Sequence, residues 1–128
     1  MTRINLIPPS DLHRKHLQAE YYELPEIFRL VSYRQMRNHT PKDCAIPETY
    51  CFGTGHKTFF YNKLLWLEKR YNSLAKELIS RGYNMSPMGL KARYCTLASH
   101  WWNDWTPSEA EIKLSYDRIK QREQELGL

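Results

Sequence analysis

Leu64, Leu67, Tyr71, Leu74 and Leu78 recur three and four residues apart, which is the period of one face of an α-helix. A stripe of that width must be covered by another element, so it commits the chain to packed helical layers. The spacing predicts a helix from around Thr58 to Arg81, with Arg81 in its last turn and Gly82 just beyond as the stop. A second stretch opens after Pro8-Pro9, with Ser10 or Asp11 as N-cap, and runs through Leu12, His16, Ala19 and Leu24 into Ile27, Leu30 and Val31. It ends near Asn38-His39-Thr40-Pro41, and Pro25 inside it predicts a kink or a restart. A third is announced by Thr106-Pro107-Ser108-Glu109, read as a capping box with proline at the first helical position; Ile112, Tyr116 and Ile119 then share a face. No run alternates as a strand does. The expected fold is all-α: a compact single domain over residues 1–128, with three main helices and long irregular connections.

Those connections, residues 39–57 and 83–105, are long enough to ask for a function. The first contains Pro41, Pro47 and the turn Gly53-Thr54-Gly55-His56, which is either a close backbone approach to a phosphate or a tight turn into the next helix. The second contains Pro87, Gly89, Trp101, Trp102 and Trp105, and its indoles either fill a core or offer a stacking surface for an unpaired base. A net charge of +5 and a pI near 9.2 suit a polyanionic partner. No apolar run approaches the roughly 20 residues of a membrane span, and no secretory signal precedes the first polar residues. Cys44, Cys51 and Cys95 are odd in number and lack a C-x-x-C pair, which reads as reduced thiols with neither a disulfide framework nor a zinc site. A soluble, cytoplasmic monomer without metal or other cofactor is the expectation.

The chain begins Met1-Thr2-Arg3-Ile4-Asn5. A small second residue permits removal of Met1, leaving a free α-amine on Thr2. An α-amine has a reference pKa of about 7.7–8.0 against about 10.4 for lysine, so roughly one in ten is unprotonated at pH 7. Such an amine attacks an electrophilic carbon without special tuning. A carboxylate, Glu23, follows at the irregular point made by Pro25.

Thr2-Arg3-Ile4-Asn5-Leu6, His16-Leu17, Ala19-Glu20-Tyr21, Glu23-Leu24-Pro25 and Phe28 together resemble the N-terminal third of the pyrimidine-dimer DNA glycosylase/AP lyase family, the viral "endonuclease V" repair enzymes. The likeness continues through Gly53, Gly55-His56, Thr58-Phe59-Phe60-Tyr61, Lys63-Leu64, Leu67, Lys69-Arg70 and Arg81-Gly82 in the same order and spacing. Past residue 84 it thins to Asp104, Pro107, Glu109-Ala110 and Arg118.

The resemblance implies a helical, metal-free enzyme that acts on double-stranded DNA, kinking it and extruding a base. By the same likeness Thr2 is the amine nucleophile at deoxyribose C1′ and Glu23 the catalytic carboxylate. Arg3, His16, Tyr22, His56, Arg118 and Arg122 are the expected DNA-binding residues, with Lys63, Lys69 and Arg70 extending the positive surface. The chemistry is expected on pyrimidine dimers; the same chemistry on another damaged base or on abasic sites, and a non-catalytic basic helical module, are the alternatives. Two departures bear on the choice. Tyr22 and Glu26 stand where the viral enzymes carry arginines, so Tyr22 is left to stack on a base or sugar and Glu26 to pair with Arg29 or Arg3. The aromatic C-terminal tail of the phage enzyme is absent from this sequence, and the tryptophan loop is a candidate replacement.

Overall fold

A computed structural model describes residues 2–86 and 89–128; Met1, whose removal frees Thr2, and Pro87 of the second connection lie outside the described residues. The architecture is all-α, and among the described residues the only β pairing is an isolated antiparallel bridge between Lys63 and Trp102. The helices are α1 (Arg14–Glu23), α2 (Pro25–Met36), α3 (His56–Phe59), α4 (Leu64–Ser80), α5 (Leu90–Arg93) and α6 (Glu109–Leu126). One apolar cluster draws side chains from Ile4 near the start to Ile119 near the end.

The stripe that predicted the central helix lies on α4, and all five of its residues are buried. Each fully buried leucine contributes on the order of 1.5–3 kcal/mol. Arg81 and Gly82 end the helix in a Schellman motif: Tyr83 N–H donates to Leu78 O at 3.1 Å, Gly82 N–H donates to Ile79 O at 3.0 Å, and Gly82 takes φ +96°. The helix starts later than the sequence suggests. Phe59, Phe60 and Tyr61 are all buried, and three consecutive residues of a helix spread over about 200° of its surface. The chain therefore ends α3 at Phe59 and begins again at Leu64. Lys63 seals the break by donating Nζ to Phe59 O at 2.9 Å.

Two expected caps are displaced. Ser10 and Asp11 belong to a 3-10 turn, Pro9–Asp11, and α1 is capped instead by His13, whose Nδ1 accepts from Lys15 N–H at 3.1 Å. Leu12 is buried in an extended conformation between the two, so a helix started at Ser10 would pull it out of the core. The capping box of α6 is Ser108 with Glu111 rather than Thr106 with Glu109. Glu111 also accepts Tyr50 N–H at 2.8 Å, so the later register fastens the first connection to α6. Pro25 does restart the helix. Leu24, fully buried, joins α1 to α2 in right-handed conformation, and Ile27 N–H reaches back only three residues to Leu24 O.

Trp101 is fully buried with its indole N–H on Gln35 Oε1 at 3.2 Å. Trp102 stands against Phe28, and Trp105 against Trp66 at a ring separation of 5.0 Å. The indoles close the core from the second connection.

Candidate active site

Residues 2–7 form neither helix nor strand, and Ile4, Leu6 and Ile7 are buried without any strand to take their backbone bonds. Buried amides and carbonyls need partners, and here distant side chains supply them. Ile4 N–H donates to His56 Nε2 at 2.8 Å, and Ile4 O accepts from the Tyr50 hydroxyl at 2.5 Å. Leu6 N–H donates to Ser115 Oγ at 2.9 Å, and Ile7 O accepts from Arg70 Nη1. The Asn5 amide donates to Glu20 Oε1 at 2.9 Å. Glu20, 1 % exposed, receives Arg70 through both oxygens, at 2.6 and 2.9 Å, and this ion pair ties α1 to α4 beneath the segment.

This lattice delivers Thr2, itself 2 % exposed, to the junction of α1 and α2. Its hydroxyl donates to Glu26 Oε2 and lies 3.3 Å from Glu23 O. Arg3 N–H donates to the Glu23 carboxylate, which therefore stands one peptide unit from the Thr2 nitrogen. Burial pushes the Glu23 carboxyl above the ordinary range, and the charge of Glu26 adds to the push while Arg3 opposes it.

Glu23 opens onto a groove of about 470 Å³ between α1, the N-terminal segment and α6. Arg3, Lys15, His16, Arg118 and Arg122 line it. Burial, and after it the neighbouring guanidinium charges of Arg118 and Arg122, lower the Arg3 pKa. An anion entering there relieves that repulsion. His16 is held below its usual pKa by burial, with Glu123 opposing the shift and His13, Arg122 and Arg3 adding to it, which favours the neutral ring. Two buried polar atoms of the groove residues, His16 Nε2 and Asn5 Oδ1, have no partner among the described residues.

Of the residues named from sequence, Arg3, His16, Glu23, Arg118 and Arg122 meet in this groove, and Thr2 adjoins it through Arg3. Tyr22 does not line it; the residue is 70 % exposed, with its ring edge-on to Tyr21. His56 is 5 % exposed with both ring nitrogens engaged, Nδ1 on Cys51 O at 2.7 Å and Nε2 on Ile4. It anchors the N-terminal segment instead of facing open surface. The glycines before it, at φ +72° and +94°, turn the chain so that its ring points inward, and a Cβ on Gly55 would meet Pro47 Cγ at 3.1 Å. Arg70 is likewise interior, and Lys69 is paired with Asp104 at 2.6 Å.

Glu26 pairs with Lys57 at 3.0 Å, not with Arg29 or Arg3, and nothing in the linear pattern pointed to its bond with Thr2. Lys15 was also missed. The helical spacing of His16, Ala19, Glu20 and Glu23 marks the groove face of α1, and Lys15 flanks it. Among the described residues no three His, Cys, Asp or Glu side chains converge as metal ligands, and no helix is long and apolar enough to cross a membrane.

A family model described as pyrimidine dimer DNA glycosylase matches residues 1–90, which include Thr2, Glu23 and every partner of the N-terminal segment except Ser115. Arg118 and Arg122 on α6 lie beyond the matched residues. With the match covering most of the 128 residues, the chain belongs to the pyrimidine dimer DNA glycosylase family, whose substrate is DNA.

Proposed function

We propose that this protein is a DNA repair glycosylase with coupled AP lyase activity on pyrimidine dimers, using the α-amine of Thr2 once Met1 is removed. The observation that carries the reading is the placement of the Glu23 carboxylate one peptide unit from the Thr2 nitrogen, at the wall of a groove lined with arginines. The amine lone pair forms a bond to C1′, and the bond from C1′ to the base breaks with departure of the base. The sugar ring then opens to give a protonated imine. Glu23 stabilises the cationic sugar electrostatically, then takes a C2′ proton, and the electron pair released expels the 3′ phosphate. Water hydrolyses the imine and returns the amine.

Each role has a physical support. The raised pKa of Glu23 brings the carboxylate nearer to the pH at which a general base is effective. The crowded guanidinium groups of Arg3, Arg118 and Arg122 suit backbone phosphates. Glu26, engaged with Thr2 and Lys57, leaves phosphate binding to those arginines.

Borohydride trapping on duplexes carrying a pyrimidine dimer, an abasic site or no lesion tests the reading, with intact mass establishing that Met1 is absent. Covalent adducts with both damaged duplexes, lost on the dimer in Glu23→Gln, are the expected result. An adduct with the abasic duplex alone keeps the amine chemistry and removes dimer specificity. No adduct with either leaves a DNA-binding module.

A further inference from the structure

Glu26 is the second residue of α2, where the helix dipole favours a carboxylate, and its two oxygens serve different partners. One accepts the Thr2 hydroxyl; the other meets Lys57 Nζ at 3.0 Å. Both members of the ion pair are partly shielded, at 30 % and 36 % side-chain exposure, whereas Thr2 is enclosed. Thr2 is thus held at two of the four substituents of its Cα: the side chain by Glu26, and the following peptide by the Arg3 N–H on Glu23. At a chiral carbon, fixing two substituents fixes the direction of the third, which is the nitrogen.

We propose that Glu26 is a positioning residue that aims the Thr2 nitrogen through the hydroxyl, and that Lys57 cancels its charge so that the clamp does not also hold a proton on the amine. The inference rests on the reading of Thr2 as nucleophile. A carboxylate this close to an amine stabilises the ammonium form, which cannot attack. The charged and titratable groups around Thr2 are Glu23 from α1, Glu26 from α2 with Arg29 of the same helix acting on it, His56 and Lys57 from α3, and Arg3 from its own segment, with Arg118 and Arg122 of α6 behind Arg3. Burial keeps His56 neutral at pH 7, so Glu26 and Lys57 can be altered as one balanced pair.

The test is single-turnover imine formation on an abasic-site duplex, trapped with borohydride and followed against pH. In this step the amine forms the C1′–N bond and the aldehyde oxygen leaves as water. Thr2→Ala keeps a processed α-amine and removes only the hydroxyl; it and Glu26→Ala are expected to lose about tenfold in the maximal rate through misorientation. Glu26→Gln retains an acceptor for the hydroxyl, so it is expected to recover most of that rate while its pH profile moves to lower pH by about half to one unit. Lys57→Met is expected to move the profile by a similar amount to higher pH, and the double variant Glu26→Gln/Lys57→Met to return it. Circular dichroism melting of each variant identifies any rate loss caused by unfolding, which does not move a pH midpoint in opposite directions. Wild-type profiles in both single charge variants, with full rate in Thr2→Ala, would overturn the inference while leaving the nucleophile intact. Absence of an adduct in the unaltered protein overturns the nucleophile reading itself.

Discussion

Glu23 and Glu26 lie three residues apart and are shifted in opposite directions, with opposite consequences for stability. Burial raises Glu23, so its folded form binds a proton more tightly than its unfolded form. Its favourable contribution is present below the unfolded pKa and is lost as pH rises through the raised folded value. At neutral pH the ionised side chain is a cost, and Glu23→Gln is expected to raise the thermal midpoint by about 2 °C while abolishing glycosylase action, as calorimetry and strand-nicking assays would report. The hydrogen bond from Thr2, then that from Lys57, lowers Glu26. Its contribution is present above the unfolded pKa and lost as pH falls through the lowered one, so stability in acid is expected to decline less steeply in Glu26→Gln than in the unaltered protein. Thr2, Arg3 and Glu23 could be nominated from sequence because they stand in the run that carries the family resemblance, whereas Arg118 and Arg122 lie beyond the matched residues. Glu26 could not be nominated, since its meaning depends on Lys57, 31 residues away. His56, expected among the DNA-binding residues, turns its ring in to Ile4, because a histidine after two glycines looks alike in sequence whichever way its ring points.

At the level of elements, the periodic signal on α4 translated directly into burial, while helix ends followed tertiary needs that local capping chemistry does not contain. Ser108 prevailed over Thr106 because Glu111 reaches Tyr50, and Leu12 moved the start of α1 because it had to enter the core. Ser108→Ala is expected to cost about 1 kcal/mol in chemical denaturation by removing the cap. The buried Glu20–Arg70 pair holds α1, α4 and the N-terminal segment together. Arg70→Met leaves the Glu20 carboxylate unpaired in the interior and strands Ile7 O, so a loss of about 3–5 kcal/mol is expected from urea midpoints. Replacing both partners with methionine is expected to cost less than Arg70→Met alone, the result that separates an unpaired charge from lost packing.

Across the whole molecule, the net charge of +5 is given direction by α6, which carries Arg118 and Arg122 to the groove wall opposite α1. Sequence supplied the sign and the two residues; their convergence with Arg3 required the docking of α6 over the N-terminal segment. Removing one phosphate contact lowers the slope of log affinity against log salt by about 0.9, so Arg118→Ala is expected to flatten the salt dependence of duplex binding by about that amount in fluorescence anisotropy. The bond from Leu6 N–H to Ser115 spans 109 residues, and it sets an order of events during synthesis. The N-terminal segment reaches its final mooring only after Ser115 has been made and α6 has formed, whereas the first residues emerge from the ribosome far earlier. On the proposed reading, removal of Met1 is expected in that interval, when Thr2 is still on an open chain; in the folded protein Thr2 itself is 2 % exposed. On that reading the protein is prepared for its reaction before its fold is complete, and a chain that keeps its methionine is expected to give no borohydride-trapped adduct on an abasic duplex.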